Sequence, residues 1–583
     1  MSVSADVDER TLREIYLSAF ERIVTEAEPA TVMTAYNAIN GVFASENSWL
    51  LTELLRDDWG FEGVVVSDWG AVKDRVQSLR AGLDLEMPAS GDGGTRAIVD
   101  AVAAGTLGVE DVERSVERLR RLADRTASAG TPPVDYDAHH ALARRAGAES
   151  VVLLRNEGHT LPLRAGASVA VVGALAVDPQ FQGGGSSHVN PTRVDVPLDA
   201  LRHALGAENV IYATGYSRDS PSATLIDEAI AAASATEVTV VFAGLYESDQ
   251  SEGFDRQNLD LPAAQIALIR AVAEVAQRTV VVLMNGGVVS LEPWHDSVDA
   301  IVEGWALGQA VGSALADVLT GVVSPSGRLA ETIPLALTDT PSYLSFPGEQ
   351  GHSRYGESVF VGYRYYTSTH RAVRYPFGHG LSYTAFSYDD FEVTPTGQDT
   401  AIARVTITNS GAVRGADVVQ MYVAPGEGAV RRPVRELGGF AKVWLEPGES
   451  RVVEIELTRR TFAYWDIASS QWLVVGGTRT IQLAASANDI IAEVVLDVPG
   501  DNLRPQALSL DSTVGQWFAH PVVGPALLHL MAADAPESNT DAIKLVESMP
   551  MGQFARFVGG DIPESVLNHF IALSIEAASG END

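Results

Sequence analysis

Apolar residues recur in two rhythms along the first part of the chain. Leu12, Ile15, Phe20, Ile23 and Val24 lie close to helical spacing over Thr11–Ala27, so a helix is expected there. Thr31–Asn37 is a short β-like run, and Ser48–Trp59 places Leu50, Leu51, Leu54 and Leu55 on one face of a helix that Gly60 closes. Gly63–Asp68 reads as an apolar strand with a polar end, Val72, Val76 and Leu79 as a helix, and Gly82–Met87 as a third short strand. Val112, Val116, Leu119 and Leu122 mark a last helix before residue 127. Such alternation predicts parallel βα units in a sheet or barrel.

Residues 128–140, with Pro132-Pro133, read as a linker. A second α/β unit is expected over 141–338, with buried strands at Val169–Gly173, Val238–Gly244, Thr279–Met284 and Ala300–Gly304 and helix such as Ala263–Ala276 between them. Residues 339–382 are rich in aromatics and Gly, show no clean period, and read as an ordered connection of unusual length. Over 383–499 the rhythm becomes strict alternation: Ala403, Val405 and Ile407, then Val453, Ile455 and Leu457, separated by turns. Short strands spaced in this way predict a β-sandwich. Residues 500–583 are helical in pattern, at Val522–Met531, Ala542–Ser548 and Ser565–Ala577.

Charge narrows the ligand. The 583 residues, enough for about three to five domains, carry 41 Lys and Arg against 76 Asp and Glu, a net charge of −35. A nucleic-acid partner needs a basic face, and anionic membranes repel so acidic a surface. The composition fits a soluble protein with a neutral ligand. The absence of Cys removes disulfides, thiolate metal sites and Cys nucleophiles. No apolar stretch approaches the ~20 residues of a membrane span, and the polar, acidic Met1–Arg10 is not a signal peptide, so a cytoplasmic location is expected. The 12 His contain no H-E-x-x-H, and His139-His140 is expected on the linker surface; no metal and no cofactor are expected. Gly183–Ser187 lacks the spacing of a nucleotide-binding loop.

Two places carry candidate chemistry. Asp68 ends the run Val64-Val65-Val66-Ser67, where a barrel presents its catalytic face, and Trp69 beside it offers a platform for the CH face of a sugar. Asp68 equally suits a helix cap. The loop after Val238–Gly244 crowds Glu247, Asp249, Glu252 and Asp255 together; like charges can raise a carboxyl pKa toward that of a general acid, or the loop is a solvated acidic turn with an Asp255–Arg256 ion pair. Two carboxylates flanking a scissile bond would make a glycosidase, but spacing alone does not bring Asp68 and Glu252 together.

The motifs resemble glycoside hydrolase family 3. Val32-Met33-Thr34-Ala35-Tyr36-Asn37 and Gly63–Trp69 are similar to the end of that family's catalytic barrel. Ser150–Glu157 with Leu161-Pro162-Leu163 is similar to the start of its α/β sandwich domain, and Ser251–Arg256 to its acid/base loop. Tyr375–Tyr383, Arg432–Leu437 and Phe462–Asp466 resemble the approach to, and interior of, its fibronectin type III-like domain. The resemblance implies a (β/α)8 barrel of which 1–127 would be only the C-terminal part, then an α/β sandwich, a fibronectin type III-like domain and a helical tail outside the common core. It implies Asp68 as nucleophile, Glu252 as general acid/base, and Met33, Tyr36, Trp69 and Ser186 around the sugar. The implied activity is retaining exo-hydrolysis of terminal β-D-glucosyl residues, with a small carbohydrate as partner. A β-xylosidase or α-arabinofuranosidase, or an inactive member serving as a sugar-binding or assembly module, is the alternative. A full barrel takes ~250 residues, so either upstream residues belong to the protein or this is a short form; a partial barrel keeps open edges that would favour a homo-oligomer and leave the chain alone with little activity.

Overall fold

The computed structural model describes residues 2–127, 130, 133–217, 222–426, 428, 430–501, 505–532, 544–557 and 563–579. Its first region consists of consecutive helical segments over residues 9–27 and five short strands: β1 (Ser4–Asp6), β2 (Thr31–Thr34), β3 (Ala38–Ile39), β4 (Val42–Phe43) and β5 (Val64–Ser67). β2 and β5 pair in parallel, Thr31 opposite Val64 through Thr34 opposite Ser67. The third strand expected over Gly82–Met87 is reduced to one bridge, Leu85 to Val66. β1, β3 and β4 form a separate small sheet, which His352–Arg354 joins beside β1. Val24, Leu51, Leu55, Phe61, Val65 and Leu83 pack beneath β5.

A buried charge ties this region together. Asp84, only 3% exposed, accepts the Val65 N–H at 2.9 Å and pairs with Arg56 at 2.8 Å and Arg118 at 3.0 Å. Three donors repay a desolvation that a lone carboxylate could not offset. The helix Asp92–Ala103, absent from the sequence-based expectation, buries no side chain, and Val109–Ala127 buries only Ser115.

Part of the expected linker, including Pro132, lies outside the described residues. The helix Tyr136–Ser150 already begins inside it, because Asp135 accepts the Ala138 N–H at 2.9 Å as its cap. His140, expected on a linker surface, is instead buried, with Nε2 3.0 Å from Asp195.

The second region holds β6 (Val152–Asn156), β7 (Val169–Val172), β8 (Val210–Ala213), β9 (Val238–Gly244), β10 (Thr279–Met284) and β11 (Ala300–Glu303). They form one sheet in the order β6-β11-β10-β9-β7-β8, parallel except for β6, which runs antiparallel to β11. Every residue of β7, β9, β10 and β11 is buried. Helices cover both faces of such a sheet, which is why these strands read as unbroken apolar runs. The two strands that the pattern did not mark, β6 and β8, are the edges.

The connecting stretch contributes β12 (Ile333–Pro334), β13 (His352–Arg354) and β14 (Val373–Tyr375), with a helix at Tyr363–Ser368. A β-sandwich follows: β15 (Phe386–Pro395), β16 (Ala401–Asn409), β17 (Gly415–Ala424), β18 (Glu436–Leu445), β19 (Ser450–Leu457), the short pair β20 (Tyr464–Asp466) and β21 (Gln471–Leu473), then β22 (Gly477–Ser486) and β23 (Asp489–Val498). Its two sheets are β15-β16-β19 and β18-β17-β22-β23. Ala401, Ala403, Val405 and Ile407 point inward from β16, as alternation requires.

Residues 500–583 make a second compact unit. Helices Val514–Ala519, Val523–Ala532, Met551–Phe557 and Glu564–Ser579 surround Trp517, with Val514, Leu527, Met551, Leu567 and Phe570 packed on it. Thr513 caps the first helix in a reciprocal capping box with Gln516. The expected helix Ala542–Ser548 lies partly outside the described residues. No helix among the described residues is long and apolar enough to cross a membrane.

Candidate active site

The parallel pairing of β2 and β5 brings their C-terminal ends side by side, and Asp68 continues the ladder by donating its N–H to the Thr34 carbonyl at 3.2 Å. Asp68 does not cap the following helix; Asp74 does, accepting from Gln77 N–H at 2.9 Å. The Asp68 carboxylate accepts the Trp69 N–H at 2.6 Å, and Tyr36 donates its hydroxyl to the Trp69 carbonyl at 3.0 Å.

Glu252 and Ser186 arrive from the second sheet. β7 and β9 are adjacent, so the loops leaving their C-terminal ends meet. Ser186 donates its N–H to Glu252 Oε1 at 2.9 Å and its hydroxyl to the same oxygen.

Tyr36, Asp68, Ser186 and Glu252 line one cavity of about 740 Å³. The Tyr36 phenol is held above its ordinary pKa by desolvation, then by the hydrogen bond and charge of Asp68, with the charge of Glu252 adding to them. Glu252 is shifted the other way from the sequence-based expectation: its carboxyl lies below the usual range because the Ser186 hydroxyl and N–H stabilise the anion, outweighing desolvation. The local Asp255–Arg256 pair is also replaced. Arg256 turns inward and donates to the Val288 carbonyl at 2.7 Å.

Met33 and Trp69 are not among the walls of this cavity. Met33 faces a separate apolar groove with Leu17, Phe20, Val24 and Leu55, and Trp69 is 62% exposed. The connecting stretch supplies walls that the sequence reading missed: Ser342, Phe346, Arg354 and Glu357. Their aromatic density was visible, but no period marked a site. Among the described residues no group of three or more His, Asp or Glu is placed to hold a metal.

Comparison with known proteins agrees with this layout. Residues 2–122 match the glycosyl hydrolase family 3 N-terminal domain, 151–383 that family's C-terminal domain, and 417–487 a fibronectin type III-like domain. The thermostable β-glucosidase B of Acetivibrio thermocellus is 43% identical over 586 residues, 98% of this chain and 78% of the relative. An exo-α-(1→6)-L-arabinopyranosidase of Bifidobacterium longum is 45% identical over 536 residues, 89% of this chain and 70% of the relative. The crystal structure of a Bifidobacterium adolescentis family 3 β-glucosidase superposes with a TM-score of 0.85 at 46% identity, covering 90% of this chain and 78% of that one. The protein is a glycosidase. The chain belongs to glycosyl hydrolase family 3, with a mixed α/β fold followed by a fibronectin type III-like sandwich.

Proposed function

We propose that the protein removes terminal β-D-glucosyl residues with retention of configuration, Asp68 acting as nucleophile and Glu252 as general acid/base. The observation that carries this reading is the meeting of the two carboxylates, from two different regions, on one cavity. Asp68 would attack the anomeric carbon while Glu252 protonates the departing oxygen; Glu252 would then take a proton from the water that releases the sugar. Tyr36, whose hydroxyl donates to the Trp69 carbonyl next to Asp68, would help keep the nucleophile's loop in position. The domain reading that goes with it makes residues 1–127 the C-terminal part of a catalytic barrel.

A second reading has support from the relatives. Two of them, at 43% and 45% identity, are exo-α-(1→6)-L-arabinopyranosidases. An arabinopyranose lacks the hydroxymethyl arm of glucose and carries its 4-hydroxyl in the opposite configuration, so the two sugars differ at C4 and C5. Turnover of 4-nitrophenyl β-D-glucopyranoside and 4-nitrophenyl α-L-arabinopyranoside, compared at equal concentration, decides between them. Asp68→Asn is the blank; hydrolysis that survives it unchanged would overturn the mechanism for either sugar.

A further inference from the structure

The loop after β7 does more than border the cavity. Ser186 places two donors on one Glu252 oxygen, N–H at 2.9 Å and the hydroxyl beside it. The same loop receives a second carboxylate from the loop after β9: Gly185 N–H lies 3.4 Å from Glu247 Oε1, and His188 Nε2 lies 3.2 Å from Glu247 Oε2. A side chain on Gly184 or Gly185 would push one of the two glutamates aside. Gly185 has φ +68°, and a Cβ there would stand 2.7 Å from Glu252 Oε1; a Cβ on Gly184 would stand 2.4 Å from Glu247 Cγ.

We propose that Ser186 is a positioning residue for Glu252: together with the glycine turn before it, Ser186 clamps the unliganded acid/base as an anion against the loop after β7. The proposal rests on the assignment of Glu252 as acid/base. Donors aimed at a carboxylate favour its charged form, and that consequence separates the two halves of the reaction. Water activation needs the anion and is helped by the clamp. Leaving-group protonation needs the acid and is opposed until Glu252 leaves Ser186. The other ionisable groups lining the cavity are Asp68 and Tyr36 from the first region, Asp255 on the loop of Glu252, and Arg354 and Glu357 from the connecting stretch, with the Glu247–His188 pair beside the clamp. The lowered pKa of Glu252 comes from the two Ser186 donors, against desolvation, and not from these charges.

The test compares Ser186→Ala, Ser186→Thr and Gly185→Ala in the full chain. The Glu252 carboxyl is followed by carbon NMR through a pH titration, its signal identified by its loss in Glu252→Gln. The expected result is a midpoint moved upward in Ser186→Ala and Gly185→Ala and restored toward the original in Ser186→Thr. In turnover, the alkaline limb of kcat/KM moves upward for methyl β-D-glucoside, which needs a proton donor, and stays in place for 2,4-dinitrophenyl β-D-glucoside, which does not. An unmoved midpoint in Ser186→Ala, or a raised KM with both limbs unmoved, would overturn the clamp and leave Ser186 as a sugar contact. Full turnover of methyl β-D-glucoside by Glu252→Gln would overturn the acid/base assignment and the proposal with it. The two failures are distinguishable, because loss of the clamp alone leaves Glu252→Gln inactive on that substrate.

Discussion

The two α/β regions reach one cavity by different means. In the second region, four neighbouring strands, β7, β9, β10 and β11, are buried along their whole length. Glu252 and Ser186 therefore stand on loops rooted in a covered sheet. In the first, β2 and β5 pair only with each other as strands, and Thr31 and Met33 of β2 are exposed. Asp68 and Tyr36 stand on that thinner support, held by the small apolar cluster around β5 and by the ion pairs of one buried aspartate. The contrast teaches that the Asp68 side of the site depends on charge pairing as well as on a small apolar core, and the Glu252 side on a sheet buried throughout.

The largest expected effect is on chemistry. Asp68→Asn should lower kcat for an aryl glycoside by about 10⁴-fold or more, as removal of a nucleophile generally does. Glu252→Gln should cost less on a good leaving group, within the roughly 10²–10⁴-fold typical of a lost proton donor. Steady-state rates with both variants measure this directly, and equal losses on activated and unactivated substrates would contradict the division of roles.

Next comes stability of the first region. Asp84→Ala leaves Arg56, 8% exposed at its side chain, without its partner. Breaking a buried pair in this way costs about 3–5 kcal/mol. Hydrogen exchange should accelerate over Val64–Ser67 well before it does over Thr279–Met284, and uniform acceleration would mean that the two regions are not independently supported.

The second region carries its own electrostatic cost. Glu303, at the end of β11, is buried and accepts from Trp305 N–H at 3.0 Å; burial pushes its pKa up to about 8 from 4.5. The unfolded chain gives up this proton first, so stability falls as pH rises from 4.5 and the fall is complete above about 8. Glu303→Gln should flatten that slope and gain a few kcal/mol at alkaline pH. Denaturant midpoints at pH 5 and pH 9 report the difference; an unchanged slope would show that Glu303 does not set it. The smallest effect belongs to Trp69→Ala, which should change stability by no more than about 0.5 kcal/mol because the indole is solvent-facing.

The second region was legible in the sequence where burial on both faces left unbroken runs: Val238–Gly244 and Thr279–Met284 are strands with the expected bounds. The sandwich was legible because alternation survives when one face is wet. The first region was less so. Leu83 and Leu85 have the composition of a strand, but strand pairing needs a neighbour in register, and only one bridge forms. At the site, Asp68 was visible as an acid at a strand end and Glu252 as one of several acids in the loop after Val238–Gly244, whereas their convergence depends on packing between regions. The lowered pKa of Glu252 was not visible, because it comes from Ser186, 66 positions away in sequence. Counting neighbouring acids gave the opposite sign.

The central claim, that Asp68 and Glu252 form one double-displacement site, is tested most directly by trapping. The protein is treated with 2,4-dinitrophenyl 2-deoxy-2-fluoro-β-D-glucoside, whose fluorine slows release of a glycosyl-enzyme, and the labelled peptide is sequenced by mass spectrometry. The account predicts a single adduct on Asp68, absent in Asp68→Asn and still formed by Glu252→Gln, since the leaving group needs no proton. An adduct on a different carboxylate, or turnover of the parent glucoside with inverted configuration, would contradict it.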